Sequence, residues 1–121
     1  MTIIDDQGGA MPAQDIIVTT TENVPGHSID RVYGEVFGVT VRSRNFVSDF
    51  GAGVKSIFGG ELKGLTKALV ASREQATERM IDKARDLGAN AVVMMRFDVT
   101  DARDIGTEVC AYGTAVSATP K

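Results

Sequence analysis

Apolar residues recur along this chain with two different periods, and the switch between them marks out the elements. Residues 16–21, Ile-Ile-Val-Thr-Thr-Thr, are all β-branched, the composition of a strand. Asn23-Val-Pro-Gly26 then supplies turn chemistry, because proline presets φ and glycine accepts a positive φ. Over 29–42 the period is two. Tyr33, Phe37, Val39 and Val41 fall on one face, and Val32, Gly34, Val36, Gly38 and Thr40 on the other. Apolar residues on both faces predict a long strand covered on both sides. Gly34 and Gly38 leave a flat stripe that another segment can approach closely.

Ser43-Arg-Asn45 interrupts this pattern, and over 46–58 the spacing becomes helical, with Phe46, Val47, Phe50, Val54, Ile57 and Phe58 in phase. Gly51 and Gly53 predict a short helix, which Gly59-Gly60 ends. Leu62, Leu65, Leu69, Ala76, Met80, Ala84 and Leu87 then step by threes and fours through a long helix. Gly88 closes it as the residue after the C-cap, with Arg85 in the last turn, where positive charge is favoured. Residues 91–99 read as a strand, 100–106 as a polar turn and 108–118 as the last strand, close enough to pair as an antiparallel hairpin. The order is an α+β layer: a small, mostly antiparallel sheet with a short and a long helix on one face.

A single helix layer leaves the other sheet face open. Ala91-Val-Val-Met-Met95 and much of 33–41 are apolar on both sides, and each apolar side chain buried contributes about 1.5–3 kcal/mol. Association of subunits through the second face is therefore expected, the alternative being coverage by the N-terminal segment.

Composition narrows the partners. The chain has 121 residues, 43% hydrophobic and 24% charged, which suits one globular domain. Residues 1–14, punctuated by Gly8, Gly9 and Pro12, read as a flexible N-terminal extension, and 15–121 as a single domain. A net charge of −3, with basic residues interleaved among acids and no Trp, argues against nucleic acid as a partner. Asp5 and Asp6 stand where a signal peptide would be basic, and no apolar run reaches membrane length. The expectation is a cytoplasmic protein without a membrane partner. One cysteine permits no internal disulfide and fits a reducing compartment.

Taken in order, Ser43-Arg-Asn45, Gly59-Gly-Glu61, the helix bearing Arg73 and Ala76, Leu87-Gly-Ala-Asn-Ala-Val-Val93 and Ala111-Tyr-Gly-Thr-Ala-Val116 resemble the YbjQ-like family, also called UPF0145, over about residues 15–118. The resemblance implies a small α+β subunit assembling into a ring, a homo-oligomer and typically a pentamer, whose sheets form a central β-barrel with helices outside. It also implies a heavy-metal-binding label, with no established reaction attached. Residues 1–14 lie outside the family pattern.

The chemistry is sparse. Soft metals take three or four converging thiolate or imidazole ligands, whereas this chain has Cys110, His27 and neither CxxC nor HxH spacing. One subunit cannot assemble such a site, although a ring could gather copies of Cys110. The plainer reading of Cys110 is a small buried hydrophobe in a strand. His27, after Pro25-Gly26, reads as a surface turn residue rather than a general base. Asp98, Asp101 and Asp104 read as acids that solubilise a turn, since the EF-hand pattern is missing. No phosphate-binding glycine loop is present.

The remaining candidate group is Ser43, Arg44 and Asn45 with Asp49, Glu61 and Arg73. Its structural reading is helix capping plus an ion pair. Its functional reading is a set of donors for a small anionic ligand at a helix start. The expected function is a ring-forming protein that binds a small ligand or heavy metal ion. The alternative is an enzyme of unknown reaction with its site between subunits.

Overall fold

The alternating stretch around 29–42 becomes one long strand, and everything else is arranged against it. In a computed structural model describing residues 15–43, 57–58, 61–101 and 106–121, the elements are β1 (Ile17–Val18), β2 (His27–Ser43), β3 (Ile57–Phe58), β4 (Glu61–Leu62), α1 (Lys63–Leu87), β5 (Ala91–Asp101) and β6 (Gly106–Pro120). Four of them form a sheet in the order β1-β5-β6-β2, while β3 and β4 make a separate two-stranded ladder. The pairs β5–β6 and β6–β2 are antiparallel and β1–β5 is parallel, so the sheet is mixed and mostly antiparallel.

Three expectations need correction. The β-branched run 16–21 contributes only two ladder residues, because the chain then follows β5 irregularly, with Thr19 N donating to Val92 O, Met95 N to Thr19 O and Met94 N to Thr21 O. The polar turn is shorter than expected, since β5 runs on to Asp101 and β6 starts at Gly106. Most of the expected short helix lies outside the described residues. Its last two positions, Ile57 and Phe58, are extended and pair with Leu62 and Glu61. The described residues therefore place one helix on the sheet, not two.

That helix sits close, and glycine is the reason. A Cβ on Gly38 would collide with Ala76 O and Met80 N and lie 2.7 Å from Arg79 Cβ, so the helix backbone rests directly on β2. Such an approach needs small residues on the helix as well. The buried line on α1 is Ala68, Ser72, Ala76, Met80 and Ala84, so the expected stripe holds at Ala76, Met80 and Ala84, while Leu87 at its end is exposed. Gly34 has another role: it takes φ +119° beside a register shift, with open space around it. Side chains tie the same surfaces, with Arg42 donating to Ser72 and Gln75 and Arg79 donating to Val39 O.

The helix ends as the sequence predicts. Gly88 adopts φ +90°, Gly88 N donates to Arg85 O at 3.0 Å and Ala89 N to Ala84 O at 3.1 Å. These two bonds are the Schellman pattern, in which a left-handed residue lets the last carbonyls be satisfied. Tyr33 OH adds a bond to Gly88 O and another contact to Ser117 Oγ, fixing the helix end to β2 and β6.

Two apolar clusters lie on opposite sides of the sheet. Under α1 are Val36, Val92, Met95, Val109, Ala111 and Ala115 with Ala76, Met80, Ile81 and Ala84. On the second face Ala91, Val93, Val116 and Ala118 are sealed by Val24, which is 3% exposed. The turn that follows β1 thus covers part of the second face within one chain. Past that cap, at Met94, β5 carries a bulge, with Met94 at φ +57° and the register shifting between Val93 and Arg96. Gly113 permits it, since a Cβ there would lie 2.6 Å from Val92 Cγ1 and 3.0 Å from Val93 O.

Candidate functional site

Beyond the bulge the second face is open, and β6 runs through its middle. Cys110 lies opposite Val39 on β2 and Asp98 on β5. One row along, Glu108 lies between Val41 and Thr100, and one row back, Tyr112 lies between Phe37 and Arg96. Residues opposite one another share a face with Cβ atoms about 4.5–5.5 Å apart. Cys110 is therefore a half-buried thiol flanked by two carboxylates, on a surface where Val41 is 58% exposed, while Phe37 at the β2 edge has its ring 5.0 Å from Lys83 Nζ of α1. The expected buried hydrophobe is instead part of an uncovered face.

The electrostatics follow from the register. Partial burial pushes the Cys110 thiol above its ordinary pKa, and the negative charges of Glu108, Asp98 and Glu35 push it the same way. Three acids from three different strands thus act on one sulfur. At neutral pH it is a protonated thiol, a poorer ligand and nucleophile than a thiolate. Arg96, the basic side chain in this register, spends its Nη1 on Thr20 O and Met95 O at 3.0 and 2.9 Å. Among the described residues no group of three or more His, Cys, Asp or Glu side chains is placed to hold a metal ion.

Asp98 and Glu108 are the residues that sequence reasoning missed. Asp98, within the expected strand 91–99 and read only as helping to solubilise the turn after it, stands in β5 opposite the cysteine. His27 opens β2 rather than sitting within the turn, and its Nδ1 lies 2.8 Å from Pro25 O.

Three members of the other predicted group lie on described elements. Ser43 ends β2 opposite Gly106, Glu61 pairs with Phe58 in the small ladder, and Arg73 on α1 lays its guanidinium 4.1 Å above the Phe97 ring. Arg44, Asn45 and Asp49 lie outside the described residues.

This architecture and sequence have relatives. A family model described as "Putative heavy-metal-binding" matches residues 16–119. A UPF0145 protein of Streptomyces griseus is 63% identical over 113 residues, covering 93% of each chain. Another from Streptomyces avermitilis is 60% identical over 116 residues, covering 96% of each. The chain belongs to the YbjQ-like, UPF0145 family. A UPF0145 protein of Lactobacillus johnsonii, 54% identical over 86% of this chain and 95% of its own, extends the family likeness to a lactobacillus. Among solved structures, a protein of unknown function of the DUF74 family from Pediococcus pentosaceus aligns with a TM-score of 0.54 at 13% identity, covering 86% of this chain and 98% of that one. At that identity the likeness is one of fold. No helix among the described residues is long and apolar enough to cross a membrane.

Proposed function

We propose that this YbjQ-like protein works as a homo-oligomeric binding protein. Copies close into a ring, five to the ring as the resemblance implies, with their sheets forming a central barrel. The assembled faces hold a heavy-metal cation among repeated Cys110, Asp98 and Glu108 side chains. The observation that carries this reading is the uncovered half of the second sheet face, where Val41 stands exposed one row from Cys110 while Val24 seals the other half. An apolar surface of that kind is stabilised by a partner.

Two further features support the reading. Among the described residues no strand pairs with the outer edge of β2, or with β5 beyond its bulge, and unpaired edges are natural joints between subunits. Association would also draw Glu35, Asp98 and Glu108 out of water, and buried carboxylates require a counter-charge. A cation supplies it. The family's label points the same way.

Light scattering and zinc titration of the intact protein test both halves. The expected results are a mass several times the 12.9 kDa of one chain and tight uptake below one ion per subunit that is lost in Cys110→Ser. A monomeric mass at micromolar concentration overturns the assembly. Tight uptake at one ion per subunit that survives Cys110→Ser overturns the site.

A further inference from the structure

One hydroxyl in this structure is buried without a partner. Thr40 is 2% exposed and its Oγ1 makes no hydrogen bond. Leaving such a group unsatisfied costs about 1–3 kcal/mol, so its surroundings call for an explanation. Thr40 and Arg42 share the side of β2 that faces α1, the side on which Gly38 touches the helix backbone. Above them lie Ser72, fully buried, and Gln75.

The chemistry of this group is one-sided. Arg42 Nε donates to Ser72 Oγ at 3.1 Å and Nη2 to Gln75 Oε1 at 2.9 Å, both neutral acceptors. Among the described residues Arg42 has no carboxylate partner. In its own register row the acid is Asp101, beyond Thr107 and so two strands, or about 9–10 Å, away. A half-buried guanidinium without counter-charge, a buried O–H without acceptor and a glutamine amide make a set of donors that lacks a negative acceptor.

We propose that Thr40, Arg42, Ser72 and Gln75 bind a small oxyanion of the phosphate class between β2 and the N-terminal half of α1. Thr40 and Arg42 lie two residues apart on an extended strand, about 6.6–7 Å, a span that two oxygens of one tetrahedral anion bridge with ordinary hydrogen bonds. The anion accepts from Thr40 Oγ1 and from the N–H groups of Arg42 that Ser72 and Gln75 leave free. The buried residues facing this end of the strand, Ala68 and Ser72, are small, and half-buried Arg42 gives the route from solvent. This site is separate from the Cys110 face, on the opposite side of the sheet.

Thermal melts of the intact protein in inorganic phosphate, against sodium chloride of equal ionic strength, test the proposal. Wild type should show a saturable rise in Tm, since a ligand that binds only the folded state stabilises it. Thr40→Ser should keep the response, Arg42→Gln should lose it, and Thr40→Val should need at least tenfold more phosphate for half the shift. General salting-out by phosphate moves all variants together and so drops out of the comparison. In chloride alone Thr40→Val should melt no lower than wild type, because it removes an unpartnered hydroxyl. A Thr40→Val protein that melts lower in chloride, or that responds to phosphate as wild type does, overturns the proposal, as does a wild type without a phosphate-specific shift.

Discussion

Gly38→Ala should be among the more damaging single-methyl additions to this protein. The new Cβ meets Ala76 O and Met80 N, both backbone atoms, so no rotamer change relieves it and α1 must lift from β2. A gap of about 0.5–1 Å forfeits a quarter to a half of each dispersion contact it opens. Met80 and Ile81, buried on the sheet-facing side of the helix, are each worth about 1.5–3 kcal/mol when fully packed. Together they lose about 1–3 kcal/mol. Overpacking strain adds about 1–3 kcal/mol, and replacing glycine in a strand returns about 0.5–1 kcal/mol. The net expectation is a loss of about 1–5 kcal/mol. For a chain of this size that lowers Tm by roughly 3–20 °C. Circular dichroism at 222 nm through a reversible melt reads it directly. Because the obstructing atoms are backbone, Ala76→Gly should not rescue the variant. A Tm within about 2 °C of wild type, or full rescue by Ala76→Gly, would refute the claim that helix backbone rests on this glycine.

The helix end and the cysteine give two further expected outcomes. Gly88→Val should destabilise by about 1–2 kcal/mol or more, because a β-branched residue is strained at the φ of +90° that the helix end requires, and an unchanged melting temperature would show that the cap does not depend on it. The raised pKa of Cys110 means that the folded protein holds this proton more tightly than the unfolded chain does. Its stabilising contribution is complete below the ordinary thiol value of 9.0 and is lost as pH rises through the higher folded value. Iodoacetamide labelling of the native protein should therefore be slower at pH 7 than that of a free thiol and should go on rising past pH 9.0 before it levels off, and the alkaline decline in Tm should be flatter in Cys110→Ser. An inflection below that of a free thiol would contradict the arrangement of Glu35, Asp98 and Glu108 around the sulfur.

Much of the fold was legible because the relevant signals are local. Gly88 with Arg85 before it marks a helix end through backbone geometry that no distant contact alters, and the period-two run over 29–42 survives as β2 almost residue for residue. The helix stripe was legible at Ala76, Met80 and Ala84 but not at its end, where Leu87 is exposed, nor at Ala68 and Ser72, because the close approach of the helix is set by Gly38, a distant strand residue that favours small partners. The same distance effect hid the surroundings of Cys110. Which acids flank it depends on where β5 turns into β6 and on the irregularity at Met94, and an apolar run such as Val92-Val-Met-Met95 carries no mark of either. Thr40 was equally silent, since a threonine in a strand is ordinary until its burial is known.

The bulge at Met94 has a consequence for how this protein tolerates change in length. Before it, Ala91 and Val93 point away from α1, while after it Arg96, Asp98 and Thr100 do. β5 therefore reads in two phases, like a message with a frameshift partway through. Between Val93 and Arg96 β5 advances three residues while β6, from Thr114 to Tyr112, advances two. Side chains in a strand alternate strictly, so losing one residue at 94 or 95 would leave a regular ladder with Asp98 still beside Cys110 and Phe97 still under the helix. Losing one residue in the regular part of β5 that follows would instead exchange the two faces of everything beyond it. Along this strand, a deletion within the bulge should be tolerated far more readily than a deletion outside it.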